Sequence, residues 1–192
     1  MEDRLLIQAN KLSYKINDSK LFSNFSLSLS AGQAIHIKGS NGSGKSTLLR
    51  ILGGITEPSK GFVDKKPNIN LSYLGHKNAL KTYLTVRDNL ILLNLKGKRE
   101  INNLLDLFGL NDRLDIVTGN LSFGQQKKLA LIRIFINKSD LILLDEPFVG
   151  LDSETQQILS NFLNKKVSEG VGLIFTSHIA ANIQANTVSI SS

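Results

Sequence analysis

The run Gly39-Ser40-Asn41-Gly42-Ser43-Gly44-Lys45-Ser46-Thr47 constrains this chain more than any other stretch. It satisfies the spacing G-x-x-x-x-G-K-[ST], which builds a phosphate-binding loop. Glycines let the backbone wrap tightly, so that its N–H groups converge on an anion. A helix starting there adds the positive end of its dipole. Lys45 is placed to reach the β- and γ-phosphates, and the Ser46 hydroxyl to ligate Mg²⁺. The flanks agree with this reading. Gln33-Ala34-Ile35-His36-Ile37-Lys38 alternates as a strand, and Leu48, Leu49 and Leu52 share one helical face that Gly53-Gly54 closes.

Strand and helix signals alternate on both sides of this loop. Leu5-Leu6-Ile7 and Phe25-Ser26-Leu27-Ser28-Leu29 predict an N-terminal β region, and Asn70-Leu71-Ser72-Tyr73-Leu74 a further strand. The middle turns helical. Thr85 to Asp88 reads as a capping box before an apolar run through Leu95, and Ile101, Leu104, Leu105 and Phe108 form a stripe stopped by Gly109. A helical insert over about 77–135 is expected between two halves of an α/β core. Leu141-Ile142-Leu143-Leu144 and Val171-Gly172-Leu173-Ile174-Phe175 are unbroken apolar runs of the buried parallel kind. Ser153 with Gln156 is expected to cap the helix between them, its face formed by Ile158, Leu159, Phe162, Leu163 and Val167. Alternating strands and helices predict a mostly parallel sheet. The 192 residues suit one domain, 1–192, with a small helical subdomain.

Composition excludes several classes. Without cysteine there are no disulfides and no thiolate metal sites, and the three histidines lack metal-ligand spacing, so no zinc is expected. Met1-Glu2-Asp3-Arg4 lacks a basic stretch followed by an apolar one, so no signal peptide is expected, and no apolar run approaches the roughly 20 residues that cross a bilayer. A membrane role would be peripheral. The net charge of +7 is scattered over Lys60, Lys65, Lys66, Lys77, Lys81, Lys96, Lys98, Arg99, Lys127 and Lys128. No arginine tract or stacking aromatics accompany it, so a solvated basic surface is expected ahead of an anionic-lipid surface, and no nucleic acid.

Asp145-Glu146 follow the first apolar run, at the edge where ligands bind parallel sheets. Asp145 can hold Mg²⁺, and Glu146 can act as general base on the attacking water. Leu121-Ser122-Phe123-Gly124-Gln125-Gln126 precedes them and opens a helix. With this hexapeptide the chain resembles the ATP-binding subunits of ABC transporters, whose signature reads L-S-G-G-Q; Phe123 replaces the first glycine of the pair. The order of motifs also resembles that family. Tyr73-Leu74-Gly75-His76 stands where a strand leads to a glutamine, followed by Leu84-Thr85-Val86-Arg87-Asp88-Asn89-Leu90, Leu141 to Pro147, Gly150-Leu151-Asp152 and Thr176-Ser177-His178.

The resemblance implies a P-loop ATPase of ABC type: a RecA-like parallel-sheet core, an N-terminal antiparallel β region and a small helical subdomain. It implies ATP and Mg²⁺ as ligands. Gly39 through Thr47, His76, Ser122, Gly124, Gln125 and Asp152 would contact nucleotide, Ser46 and Asp145 the metal. Lys45, Glu146 and His178 would be catalytic. The aromatic that stacks on adenine would be Tyr14, unless Ile16 takes that slot. His36, flanked by Ile35 and Ile37, is read as structural. Implied partners are a second copy, docked head to tail so that Ser122 of one faces the P-loop of the other, and integral membrane permease subunits. The place implied is the cytoplasmic face of the inner membrane.

Within the family, His76 with Leu80-Lys81 and Leu84-Thr85, Gly-Gln-Gln in the signature and Glu146-Pro147-Phe148 resemble the ATPase subunits of cytochrome c biogenesis haem exporters. The ATPase of another small transporter is the alternative. An ABC ATPase acting on nucleic acid fits poorly, because the chain has neither tandem ATPase domains nor a long heptad insert.

Overall fold

The N-terminal alternation folds as two long antiparallel strands, β1 (Leu5–Ile16) and β2 (Ser19–Ser30). The computed structural model describes residues 4–17, 19–95 and 100–190. Met1 to Asp3, Lys96, Lys98 and Arg99, named above, lie outside them. A third strand, β4 (Lys60–Lys65), pairs with β1 to give a sheet of order β2-β1-β4. Its inner side, with Ile7, Leu12, Phe22 and Leu29 all fully buried, packs on the first helix.

The second sheet is parallel and has the order β5-β6-β7-β3-β8, comprising β5 (Leu71–Leu74), β6 (Leu141–Asp145), β7 (Gly172–Thr176), β3 (Ala34–Lys38) and β8 (Asn186–Ser189). Every residue of β6 and β7 is buried, as expected for strands covered on both faces. Helix α1 (Lys45–Gly53) buries Leu48, Leu49 and Leu52 completely and ends on Gly54, whose φ of 76° lets its N–H close on Arg50 and Ile51 carbonyls.

Helices α2 (Val86–Leu92), α3 (Glu100–Leu107) and α4 (Phe123–Ile136) form the expected insert. The Thr85–Asp88 capping box is present. Helix α2 stops at Leu92, short of the expected Leu95; Ile91 and Leu92 are exposed, while Leu95 turns into the helical core after Asn94, at φ 54°. Helix α4 faces two ways. Leu129 and Ile132 join the helical core, and Ala130, Leu131 and Ile134 pack against the sheet.

The cap of α5 (Ser153–Ser168) differs from the expected one. Asp152, not Ser153, is the N-cap, and its side chain accepts from Thr155 N–H at 2.8 Å. Both residue types cap well, and Ser153 is already inside the helix.

Candidate active site

In a parallel sheet all strands end on the same edge, and here four of those ends carry chemistry. The P-loop leaves β3, His76 follows β5, Glu146 follows β6 and His178 follows β7. The register pairs Asp145 with Thr176 and Ile37 with Thr176, so the ends are level. They open on a cavity of about 530 Å³ lined by Asn41, Gly42, Gly44, Lys45, Ser46, Thr47, His76, Asp145, Glu146 and His178. Ile16, Leu21 and Val149 complete its wall.

The loop is held by its own contacts. Lys45 Nζ donates to the carbonyls of Gly39 and Ser40, each at 2.9 Å. Gly44, at φ 97°, lies against β2: a Cβ there would come within 2.8 Å of Leu21 and Phe22. Ser43 is 5% exposed, and its Oγ has no hydrogen-bond partner.

The carboxylates are cross-braced by a residue that sequence reasoning did not single out. Thr176, fully buried at the end of β7, donates from Oγ1 to Asp145 Oδ1 at 2.8 Å and accepts from Glu146 N–H at 3.0 Å. Only the strand register, which no local pattern reveals, brings it there. Glu146 occupies the left-handed region at φ 48°, a strained backbone for a side-chain-bearing residue. Its Oε2 accepts from His178 N–H at 3.1 Å, and its Oε1 lies 3.4 Å from His178 Nε2.

Asp145 is 1% exposed, and its Oδ2 is buried without a hydrogen-bond partner. A carboxylate oxygen left bare at such burial needs a cation or a donor. Together with the Ser46 hydroxyl on the same cavity wall, the donor set is all oxygen, which suits Mg²⁺.

His36 stays outside the cavity. Its ring stacks on Phe175 at 4.6 Å between centroids, and Nε2 meets the Ser177 carbonyl at 3.1 Å. Burial pulls its pKa below the usual histidine value. Tyr14 does not line the cavity either. Its ring stacks on Phe22 at 6.4 Å and packs on the core, because β1 shifts register on both sides of Tyr14. Ile16 and Leu21 occupy the wall where the sequence left the base platform open.

Ser122, Gly124, Gln125 and Asp152 lie apart from this cavity. Ser122 caps α4, accepting from Gln125 N–H at 3.2 Å, while Gln125 Oε1 accepts from Ser122 N–H at 2.9 Å. A Cβ on Gly124 would come within 2.5 Å of the Gly150 carbonyl, so only glycine fits against that loop. Phe123 lies half-exposed along Gly150. Lys128, also missed, bonds Asp152 at 2.7 Å and holds its carboxyl well below the usual carboxylate range, helped by Thr155.

The sequence matches the ABC transporter family over residues 22–149. It is 34% identical to the cytochrome c biogenesis ATP-binding export protein CcmA of Mannheimia succiniciproducens, over 95% of this chain and 92% of that protein. The protein of the same name from Idiomarina loihiensis is 37% identical, over 95% and 89%. The structure of an ATP-binding subunit of an ABC transporter superposes with TM-score 0.79 at 25% identity, covering 91% of this chain and 80% of that one. A dimeric ATP-binding cassette, in a post-hydrolysis state bound to ADP and Pi, superposes with TM-score 0.76 at 23% identity, covering 91% and 88%, a likeness of fold. Among the described residues no helix is long and apolar enough to cross a membrane. The chain belongs to the ABC transporter family, as an ATP-binding subunit similar to the CcmA export proteins of cytochrome c biogenesis.

Proposed function

We propose that this chain hydrolyses ATP as one half of a head-to-tail pair and powers a haem exporter of cytochrome c biogenesis. The observation that carries the reading is the convergence of Lys45, Asp145, Glu146 and His178 on one cavity from the ends of three strands. The N–H groups of the P-loop and the Lys45 ammonium receive the phosphates. Lys45 exchanges its loop carbonyls for phosphate oxygens, so binding replaces two hydrogen bonds rather than creating a charge from nothing. Ile16 and Leu21 offer an apolar wall to the base. Magnesium, held by Ser46 and Asp145, supplies charge neutralisation at the β- and γ-phosphates when bound.

Glu146 takes a proton from the attacking water. Its backbone is pinned by Thr176 and its Oε2 by His178 N–H, which leaves Oε1 for the water. His178, half-exposed beside Glu146, orients the γ-phosphate. His76 stands at the mouth of the same cavity and senses that phosphate. Ser122 and Gly124 serve the nucleotide of a second copy, since they are exposed or partly so and lie outside their own cavity. ATP bridging both faces closes the pair, and hydrolysis opens it. Membrane subunits turn that cycle into export, with the ATPase on the cytoplasmic face of the inner membrane.

The test is a Lys45→Ala chromosomal variant, read by a covalent-haem stain of the source cell's membranes. ATP affinity of the purified variant should fall about tenfold to a hundredfold. Covalently bound haem should vanish, with b-type haem and expression unchanged. Intact c-type cytochromes alongside lost ATP binding would turn the assignment to another small transporter.

A further inference from the structure

Strand β5 carries an aromatic residue that the proposed mechanism leaves idle. Tyr73 pairs with Leu143 and Leu74 with Leu144 in parallel register, so one step further Gly75 lies level with Asp145. Residues two apart on a strand share a face. Tyr73, Gly75, Leu143 and Asp145 therefore lie on the side of the sheet that α1 covers, where Tyr73 and Leu143 pack in the same core. The Tyr73 ring leans forward into the space that Gly75 leaves. A Cβ on Gly75 would lie 2.7 Å from the Tyr73 hydroxyl and 3.1 Å from the ring. The missing side chain is what lets the hydroxyl reach the level of Asp145.

Asp145 arrives there with half its carboxylate unserved. Oδ1 accepts from Thr176 at 2.8 Å, while Oδ2 is buried without a partner. Arg50, in the last turn of α1, lies against the phenol from the other side. A guanidinium can only donate, so the phenol oxygen receives from Arg50 and its single proton points elsewhere. The carboxylate whose charge acts on the phenol is Asp145. Burial and that charge push the Tyr73 pKa up, against the pull of Arg50 and Arg133, so the hydroxyl keeps its proton. Arg133 Nη2 also donates to the Tyr73 carbonyl at 3.3 Å, which fixes the strand end from α4.

We propose that Tyr73 is a positioning residue for the metal site: its hydroxyl, seated over Gly75, directs its proton at the Oδ2 side of Asp145 and turns that carboxylate to a divalent cation. Thr176 and Tyr73 then hold the two oxygens of one ligand from two neighbouring strands. Partners of this kind set the affinity of the ligand they hold. The inference rests on the ATPase reading above, which gives Asp145 the metal.

Tyr73→Phe keeps the ring over Gly75 and removes the hydroxyl. Gly75→Ala keeps the hydroxyl and fills its seat. Both are made in the full chain. Mn²⁺ takes the same oxygen donors as Mg²⁺ and is read by EPR. The chain is held in excess over AMP-PNP, so that all nucleotide is bound. Half-saturating free Mn²⁺ should rise about tenfold in each variant. Affinity for AMP-PNP in EDTA should stay within about twofold of the parent. Parent-like Mn²⁺ affinity in either folded variant overturns the inference. Equal weakening of Mn²⁺ binding and of AMP-PNP binding in EDTA also overturns it, because that marks a purely structural contact. Should Gly75→Ala fail to fold, Tyr73→Phe decides alone. A parent complex that holds Mn²⁺ no more tightly than free AMP-PNP does overturns the metal site of the ATPase reading and this inference with it. A parent that holds the ion, matched by Tyr73→Phe, overturns this inference alone.

Discussion

Asp145 and Glu146 end a strand buried along its whole length, whereas Ser122 and Phe123 stand on the surface at the tip of a helix. At the strand edge the two acidic residues have neighbours from the next strand and its end: Thr176 for the Asp145 carboxylate and the Glu146 N–H, His178 N–H for the Glu146 carboxylate. At the helix tip the order is local. Ser122 is fixed by a capping box with a residue in its own first turn, and Gly124 by its closeness to Gly150. The first edge is shaped by long-range register and is complete within one chain. The second presents its polar groups to solvent, and under the proposed pairing it would serve the nucleotide of a second copy.

Glu146→Gln gives the largest expected difference between the two edges. It exchanges one carboxylate oxygen for an amide nitrogen and keeps the shape, and the one remaining oxygen can still accept from His178 N–H. Turnover should fall about a hundredfold to ten-thousandfold, with ATP retained and the pair trapped. Phosphate release and light scattering on one sample check both halves. Hydrolysis at the parent rate would remove Glu146 as the base.

How much of this was legible in the sequence follows the same division. The P-loop, the capping box at Thr85, the helix start at Ser122 and the Asp145-Glu146 pair are contiguous, so local chemistry reveals them. Thr176 was out of reach because its role depends on lying opposite Asp145 in a different strand. Tyr14 lies off the cavity lining for a related reason. A bulge resets which side of β1 a residue faces, and residue types alone do not locate the bulge. The α5 cap was off by one residue because Asp152 and Ser153 are both good caps.

Thr176→Val is the next largest effect, and it is confined to the strand edge. The shape stays, but Glu146 N–H and Asp145 Oδ1 both lose their partner in a dry setting. Thermal or urea unfolding should show a loss of about 3 kcal/mol. Hydrolysis should drop more than ATP binding, because the P-loop is untouched. Stability within about 0.5 kcal/mol of the parent would mean that water or side-chain shifts satisfy these groups, and that the edge is less braced than its geometry indicates.

His36 gives the smallest and most selective probe of that bracing, because it sits beneath the edge, stacked on Phe175 and bonded to the Ser177 carbonyl one residue before His178. Burial depresses its folded pKa, opposed by the Ser177 carbonyl and Glu146 and supported by the charges of Lys38 and His178. The sign follows from linkage. A histidine whose folded pKa lies below its unfolded value contributes fully above about pH 6.5, and that contribution drains away as pH falls toward the folded value. Below it, both states carry the proton and the loss stops growing. His36→Gln should therefore flatten the decline of Tm between pH 7.5 and 5.5 by roughly 1–2 °C relative to the parent. Ser122, remote from this histidine, should keep its capacity to pair in the variant at every pH where the chain is folded. A parallel decline in both proteins would mean that His36 takes up its proton inside the fold without cost, and that the layer under the cavity yields to charge more readily than the buried strand ends above it.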